Sequence, residues 1–291
     1  MGARHGVENP HRSEGTLMTP RMAPLLSTCL ILGLLSLAAA HAQDNRETQP
    51  DWQFFVSAGA FVSPTYLGDD SYQVSVFPNL AVQYRNRFRA SLLEGMTYSL
   101  FDNNGLSAGP VARFNFGRDE DGSNPLGIGG ETTDLVGFGD IDFTVEVGAF
   151  VKYRQQRFSA ALEVRQAVSG HDGLVGEAEV KYNGTFELVG KRAFYSVGPE
   201  ITYGDGAFNS AFFDVNPEQS DASGLPAYDA SGGLNAAGVQ ALLLLPLTGK
   251  MTLTGFAGLS SLLGESADSP LVQQRGSETQ GIGGVFFNYR F

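Results

Sequence analysis

The chain has 291 residues, of which 17% are charged and 42% are hydrophobic, and 37 are glycine. Soluble domains carry about 25% charged residues, and after the first 42 residues no long unbroken apolar run occurs. This combination argues against an ordinary soluble α/β enzyme and against a helical membrane protein. The net charge is −12 at pH 7, so nucleic acid is not an expected partner.

An apolar run over residues 25–40 follows a basic residue near the start of the chain. Ala40 and Ala42 flank a histidine in the A-x-A form that signal peptidase cleaves. We therefore expect residues 1–42 to hold an N-terminal extension plus a secretory signal peptide, with cleavage after Ala42. The alternative is a transmembrane anchor, but the run is shorter than the roughly 20 residues that a helical span needs.

This cleavage would remove most of the reactive side chains of the sequence. Cys29 is the only cysteine, and His171 is the only histidine that lies after the cleavage site. Residues 43–291 then contain 16 basic and 29 acidic residues and no disulfide. Because the residues before Met18 have no signal-peptide character, we expect translation to start at Met18 or Met22.

Apolar and polar residues alternate along most of the chain after residue 42, and this period of two indicates β-strands. In residues 72–84, for example, valines and Leu80 alternate with Gln73, Ser75 and Asn79. No sustained helical periodicity is present. Eleven segments follow the strand pattern: 52–62, 72–84, 87–100, 106–116, 141–153, 157–168, 173–187, 193–203, 233–247, 250–263 and 278–291.

The length of these segments favours a membrane barrel over a soluble sandwich. A membrane-spanning strand needs about 9–11 residues, whereas sandwich strands are commonly nearer 5–6. We therefore expect an all-β fold, a transmembrane antiparallel β-barrel of about 12 strands in residues 43–291, with a secreted all-β domain as the alternative. Aromatic residues near strand ends fit the two interfacial girdles of such a barrel: Trp52, Tyr66, Tyr72, Tyr84, Tyr98, Tyr153, Tyr203 and Tyr289.

The strand count needs one further segment, because closed bacterial barrels have even numbers of strands. We expect "AFNSAFFDV", residues 207–215, to supply the twelfth strand, with ten strands as the alternative. Three connectors are long, 117–139, 204–232 and 264–277, and a strand at 207–215 would leave 216–232 and 264–277 as outer loops.

The polar faces of the strands carry both signs of charge. If the apolar faces meet lipid, neighbouring strands can pair these charges, which predicts a salt-bridged and largely closed interior rather than an ion-selective ring. Glu94 does not fit the alternation, so either the register shifts there or it lies near the interface. The predicted inner charges are Arg113, Glu146, Lys152, Glu163, Arg165, Glu177, Glu179, Lys181 and Glu200.

The sequence offers little for catalysis or for a cofactor. A hydrolase would need His171 with Ser169 or Asp172 in "SGHDGL", but residues adjacent on a tight turn rarely adopt triad geometry. Histidine and cysteine are too few for a metal site. Residues 117–124 resemble a fragment of a calcium loop without its downstream glutamate, so a solvated acidic turn is the preferred interpretation. No glycine-rich phosphate loop is present, and we expect no catalytic residues, no metal and no cofactor.

Two loop motifs, "SGLPAYDASGGL" (223–234) and "ADSPLV" (267–272), combine turn residues with an aromatic or apolar residue. Loops of this kind either fold over the mouth of a barrel and seal it, or present a surface to a partner. The candidate partner-contact residues are Pro226, Tyr228, Asp229, Asp268 and Pro270.

The loop motifs together resemble those of the MipA/OmpV family of outer-membrane proteins. The "SGHDGL" motif departs from the family, which more often has a run of glycines around the histidine. The matching motifs occur in family order over nearly the whole chain after the signal region: "SPTYLGDDSY" (63–72), "FGRDEDGSN" (116–124), "GFGDID" (137–142), "SGHDGL" (169–174), "SGLPAYDASGGL" (223–234), "LLGESADSPLV" (262–272) and the terminal "YRF".

This resemblance implies a non-enzymatic outer-membrane β-barrel that acts as a scaffold for a murein transglycosylase and a murein synthase. Other members are linked to adhesion, immune recognition or stress response, so a porin-like role of that kind is an alternative. A small channel for polar solutes and a barrel hydrolase that uses His171 are the others.

The last strand carries aromatic residues at alternate positions and ends on Phe291. Phe287, Tyr289 and Phe291 resemble the terminal signal that the outer-membrane assembly machinery recognises. We expect this strand to pair with the first one near Trp52, because an unpaired edge is not tolerated in lipid.

Overall fold

Each long strand of the sheet pairs antiparallel with its neighbours, and the first strand also pairs with the last, so the sheet closes into a transmembrane barrel. The computed structural model describes residues 50–123 and 127–291. The expected cleavage residues Ala40 and Ala42 lie outside the described residues. The strands are β1 Trp52–Pro64, β2 Tyr72–Tyr84, β3 Phe88–Ser91, β4 Gly95–Tyr98, β5 Phe101–Asn103, β6 Leu106–Asn115, β7 Gly127–Ile128, β8 Thr144–Gln155, β9 Phe158–Ala167, β10 Leu174–Leu188, β11 Lys191–Gly204, β12 Gly233–Pro246, β13 Met251–Leu262 and β14 Thr279–Arg290.

Twelve strands surround the lumen, as predicted, but the twelfth is supplied by residues 87–100 and not by residues 207–215. The predicted segment 87–100 is two strands, β3 and β4, which are joined by a tight turn at residues 92–94. β4 and β5 both pair with β6 and form one interrupted barrel strand, and β7 only adds a short pairing to β2. The prediction of a strand at residues 207–215 is wrong, because most of this segment belongs to the helix Gly206–Phe213.

Alternation along each strand places one face in the lumen and the other toward lipid, and β2 illustrates it. Gln73, Ser75 and Asn79 are buried inside the barrel, whereas Val74 and Leu80 are exposed on its outer surface. An apolar outer band is what a bilayer requires of a barrel, because only a closed sheet satisfies its backbone hydrogen bonds in hydrocarbon. The sequence-based assignment of the two faces is therefore confirmed on this strand.

β14 closes the barrel against β1, as expected from the terminal sequence. The register pairs Ala58 with Phe287 and Val56 with Tyr289. The backbone N–H of Phe291 then donates a 3.0 Å hydrogen bond to the carbonyl oxygen of Phe54. The last residues of the described chain are thus held by the first strand.

The two ends of the barrel differ in the length of their connections. The turn end has the short connections 85–87, 104–105, 156–157, 189–190 and 247–250. The loop end has the long connections 65–71, 116–143, 168–173, 205–232 and 263–278. Because outer-membrane barrels have short periplasmic turns and long outer loops, we expect the turn end to face the periplasm.

In the part of the chain that the structure describes, four short helices lie in the loops of the loop end, and none of them could span a bilayer. The helices are α1 Gly206–Phe213, α2 Pro217–Ser223, α3 Gly264–Asp268 and α4 Pro270–Arg275.

The aromatic girdles agree with the prediction except at one residue. Trp52 and Tyr84 lie side by side on the outer surface of the turn end, with ring centroids 4.7 Å apart. Tyr72 and Tyr203 are exposed near the loop end. Tyr66 was expected in a girdle, but it is buried among the loops because its ring packs in their apolar core.

Candidate functional site

The long loops fold together over the loop end and form an apolar core of their own, which we call the outer plug (residues 65–71, 131–142, 205–232 and 263–278). One part packs Phe208, Phe212 and Phe213 against Val175 and Leu262 of the barrel wall. A second part gathers residues from four loops: Tyr66, Leu135, Phe138, Val215, Leu225 and Leu271. Burial of these large side chains stabilises the loops across the mouth of the barrel, at roughly 1.5–3 kcal/mol for each.

The helix of residues 206–213 forms because its first turn is capped. The side chain of Asp205 accepts a 2.9 Å hydrogen bond from the backbone N–H of Phe208. Phe208 and Phe212 are then one helical turn apart and face the same side, with ring centroids at 4.7 Å. The cap and this spacing were the sequence signals that the strand prediction for residues 207–215 overlooked.

A second helix signal lies in the same loop. Asn216 caps α2, because its Oδ1 accepts a hydrogen bond from the N–H of Gln219, and Gln219 Oε1 in turn accepts one from the N–H of Asn216. This is a complete capping box, with Pro217 in the first turn. Gln219 also donates a 3.1 Å hydrogen bond to the carbonyl oxygen of Phe138. The capping residues thus both start the helix and tie it to another loop.

Polar side chains join the pieces of the outer plug. The hydroxyl of Ser269 donates a 2.6 Å hydrogen bond to the carbonyl oxygen of Phe213. The guanidinium of Arg275 donates to the carbonyl oxygens of Asp134, at 2.5 Å, and Ser223. These contacts connect residues that are far apart in the chain, so the loops behave as one packed unit.

Burial perturbs the pKa of three ionisable groups, Asp69 and Tyr228 in the plug and Arg118 beside it. Burial raises the pKa of Asp69 to about 6, although the Ser71 N–H favours the ionised carboxylate. Burial likewise lowers the pKa of Arg118 to about 10, where its guanidinium lies over the ring of Phe138. The pKa of the Tyr228 hydroxyl is raised by burial and by its hydrogen bond to Glu265.

The five candidate partner-contact residues all lie in the outer plug, but only some of them are accessible. Pro226, Asp229 and Asp268 are exposed at the loop end. Tyr228 is half-buried, and its hydroxyl donates to Glu265, whose carbonyl and carboxylate oxygens both lie 2.9 Å away. Pro270 is buried at the start of α4. The two loop motifs therefore take part in the seal over the barrel mouth.

Arg165 is the centre of an ion-pair network in the lumen beneath the plug. Its guanidinium lies 2.8 Å from Glu146, 2.7 Å from Glu163 and 2.5 Å from Glu177, and all four side chains are almost fully buried. Glu163 also forms a bidentate ion pair with the guanidinium of Arg113, with N–O distances of 2.8 and 2.9 Å. The prediction of a salt-bridged interior is confirmed.

Glu94, which did not fit the alternation, belongs to the turn between β3 and β4. Its carboxylate forms a 3.1 Å ion pair with Arg89, and its carbonyl oxygen accepts a 2.6 Å hydrogen bond from Arg113. Of the two interpretations of Glu94, the shift in register is therefore the correct one, and the turn directs the glutamate side chain to the lumen.

His171 is part of the same network rather than an open catalytic group. Its Nδ1 accepts a 3.1 Å hydrogen bond from the N–H of Gly173, so Nε2–H donates the 3.0 Å hydrogen bond to Glu146. The ring is buried and packs edge-on against Phe208 at 5.1 Å. Both ring nitrogens are engaged in hydrogen bonds, and the ring joins the barrel wall to the outer plug.

A cavity of about 380 Å³ occupies the lumen between the network and the turn end. Its lining carries both signs of charge, with Arg87, Lys152 and Arg154 as well as Glu179 and Glu200. Glu179 forms a 2.5 Å ion pair with Lys181. The interior is therefore divided into a polar chamber toward the turn end and a packed plug toward the loop end.

Two acidic loop segments, one around Glu120 and the other around Asp140, contact each other. Asp140 accepts a 2.9 Å hydrogen bond from the N–H of Glu120, and Glu120 accepts one from the N–H of Gly137. Arg118 and Ile141 form a backbone bridge between the motifs. Within residues 50–123 and 127–291, no group of three or more histidine, cysteine or acidic residues is arranged to hold a metal ion.

The three aromatic residues expected to form the assembly signal lie on the outer surface of β14 and just beyond it. Phe287, Tyr289 and Phe291 are all exposed, and the rings of Tyr289 and Phe291 meet edge-on at 5.0 Å. They form a continuous aromatic strip at the turn end, next to the closing seam with β1.

The profile of one protein family matches the chain over residues 56–291, and its description is "MltA-interacting protein MipA". The match begins inside β1 and runs to the last residue, so it covers the barrel and the outer plug together. No curated protein matches the chain in sequence.

Several solved barrels are similar in structure at low sequence identity. The KdgM porin is 9% identical with a TM-score of 0.38, over 81% of this chain and 99% of its own. The NanC porin is 7% identical with a TM-score of 0.38, over 81% of this chain and 98% of its own. CdiB from Acinetobacter baumannii is 10% identical with a TM-score of 0.36, over 84% of this chain but only 60% of its own.

Proposed function

Because this chain belongs to the MipA family, we propose that it is a non-enzymatic outer-membrane scaffold that brings a murein transglycosylase together with a murein synthase. The family description names an interaction with a murein transglycosylase, and the proposal extends that interaction to this chain. Residues 43–291 would form the mature barrel after export by a signal peptide that is cleaved after Ala42.

The observation that carries the proposal is the closure of the lumen at the loop end. The outer plug packs across this end, and the Arg165 network lies beneath it on the strands β6, β8, β9 and β10. Such an interior supports a role that uses the surfaces of the barrel and not its lumen. A hydrolase is disfavoured because both nitrogens of His171 are already engaged in structural hydrogen bonds.

The periplasm contains the murein, so we place the docking surface for both enzymes at the turn end. The exposed loop residues Pro226, Asp229 and Asp268 are proposed as a separate contact surface toward the outside, where adhesion or stress-related partners would bind. The two surfaces lie at opposite ends of the barrel, so their partners can be separated by experiment.

In-cell photo-crosslinking tests this placement. A photoreactive residue is introduced at Asn86, Gln156 or Gly190 of the turn end, and at Pro226 or Asp229 of the loop end. We expect murein enzymes to be captured from the turn end alone. Recovery of no murein enzyme from any turn-end site would refute the scaffold role and leave only the barrel assignment.

A small channel for polar solutes is the second candidate, and the chamber of about 380 Å³ at the turn end favours it. For a solute to cross, the outer plug would have to move. Planar-bilayer recordings of the purified protein decide between the two, because solute-dependent openings support a channel and their absence supports the closed scaffold.

A further inference from the structure

We propose that the turn end carries a binding site for the phosphate head group of an anionic phospholipid of the inner leaflet. The site is a basic rim patch formed by Lys191, Lys250 and Arg290, with Arg192 beside it. These residues come from the start of β11, the β12–β13 turn and the end of β14, which neighbour one another around the barrel. The inference depends on the membrane barrel and not on the scaffold role.

Hydrogen bonds make the patch continuous across the three elements. Lys191 Nζ donates a 2.8 Å hydrogen bond to the carbonyl oxygen of Leu247. The guanidinium of Arg290 donates to the carbonyl oxygen of Gly249 at 2.9 Å, and its backbone N–H donates to the carbonyl oxygen of Lys250 at 2.8 Å. The cations are therefore held on adjoining turns by neutral acceptors, and their charges remain available to an anion.

Acidic residues are scarce around these cations. Residues 186–193, 246–252 and 288–291 contain four basic residues and one acidic residue, Glu187. Within the described chain, none of the four basic side chains forms a salt bridge, whereas Arg85 on the neighbouring β2–β3 turn is paired with Asp51 at 2.8 Å. Positive charge therefore exceeds negative charge in this sector of the rim.

The surroundings of the patch favour lipid over an acidic protein. Val189 is 84% exposed and Phe291 65% exposed, and Met251 and Tyr289 are also on the outer surface. The ammonium group of Lys250 lies 6.0 Å from the centre of the Tyr289 ring. Cations that adjoin an interfacial aromatic strip lie at the level of the head groups, where the phosphates of anionic lipids are concentrated.

Native mass spectrometry of the folded full chain tests the site. The protein is titrated with phosphatidylglycerol or with phosphatidylcholine of the same acyl chains. Each basic residue near a surface of anionic lipid contributes about fivefold in affinity, so the K191Q/K250Q variant is expected to lose roughly 25-fold for phosphatidylglycerol. Its affinity for phosphatidylcholine should not change.

Matched variants separate a site from general surface charge and from misfolding. R87Q/R157Q removes the same charge from other turns of the rim and should retain the wild-type preference. K191R/K250R keeps the charges and should also retain it. An equal loss in R87Q/R157Q, or no loss in K191Q/K250Q, would overturn the proposal.

Two further results would reject lipid as the occupant. If the wild-type protein binds phosphatidylglycerol no better than phosphatidylcholine, the patch is not a lipid site, and an acidic protein becomes the partner to test. If an excess of inorganic phosphate displaces the lipid, the patch binds phosphate from any source. We expect a clear preference for phosphatidylglycerol and no displacement by phosphate.

Discussion

Replacement of Arg165 with glutamine removes the cation that three buried carboxylates share inside the barrel. In the R165Q variant Glu146 keeps its hydrogen bond from His171, and Glu163 keeps its two contacts with Arg113. Glu177 has no other ion pair among the described residues, so it is the group that loses its compensation. The variant therefore has one buried carboxylate without a partner.

The expected loss of stability follows from the number of glutamates left without a partner, which is one of the three. Removal of one member of a buried ion pair typically costs 3–5 kcal/mol. Because two of the three glutamates keep a partner, we expect the lower end, about 3 kcal/mol in the free energy of unfolding. The second substitution Glu177→Gln in the R165Q background removes the orphaned charge and should restore about 1–3 kcal/mol.

Urea unfolding in lipid vesicles measures both effects. Trp52 is the only tryptophan of the chain and lies on the outer surface, so its fluorescence reports the transfer out of lipid. R157Q removes an exposed arginine of the β8–β9 turn and should cost less than about 1 kcal/mol. The reasoning is refuted if R165Q unfolds within about 1 kcal/mol of the wild type, or if the double variant is no more stable than R165Q.

Three further variants test the plug and the closing seam. Burial raises the pKa of Asp69 from 3.8 to about 6, so the folded state favours the protonated carboxyl group. The contribution of this group to the free energy of unfolding is therefore fully present below about pH 4 and is lost as the pH rises through 6. The free energy of unfolding of Asp69→Asn should therefore exceed that of the wild type by up to about 3 kcal/mol at pH 7.5 and equal it near pH 4. Urea unfolding at the two pH values measures both differences, and the same difference at both would contradict this explanation. Tyr228→Phe leaves Glu265 without its hydroxyl donor and should weaken the plug by about 1–3 kcal/mol, seen as faster proteolysis of residues 205–232; an unchanged cleavage rate would count against the seal. Deletion of Phe291 removes the hydrogen bond to Phe54 and the end of the aromatic strip, so outer-membrane levels should fall, and normal levels would reject its role in assembly.

The barrel was predictable because alternation is a local property of the sequence. A residue such as Gln73 must enter the lumen if Val74 is to meet lipid, whatever the rest of the chain does. The same argument identified the inner charges, including Arg165 and Glu177. It did not identify which charges pair, because pairing depends on the register of strands that are brought together only by the closed sheet.

The outer plug was not predictable by the same means. Its helices have 5 to 8 residues, too few for a periodic signal, and only the capping residues Asp205 and Asn216 mark where two of them begin. Tyr66 resembles a girdle residue in sequence but is buried by loops that are distant in the chain. Burial of this kind is set by tertiary packing and leaves no local pattern.

Complex formation between purified components tests the scaffold role most directly. The protein is placed in lipid nanodiscs and mixed with a murein transglycosylase and a murein synthase, and the masses of single particles are measured. The proposed function predicts a ternary complex that contains one barrel and both enzymes, and that is lost when substitutions at the turn end block docking. Particles that contain the barrel alone, with each enzyme free at micromolar concentration, would contradict it.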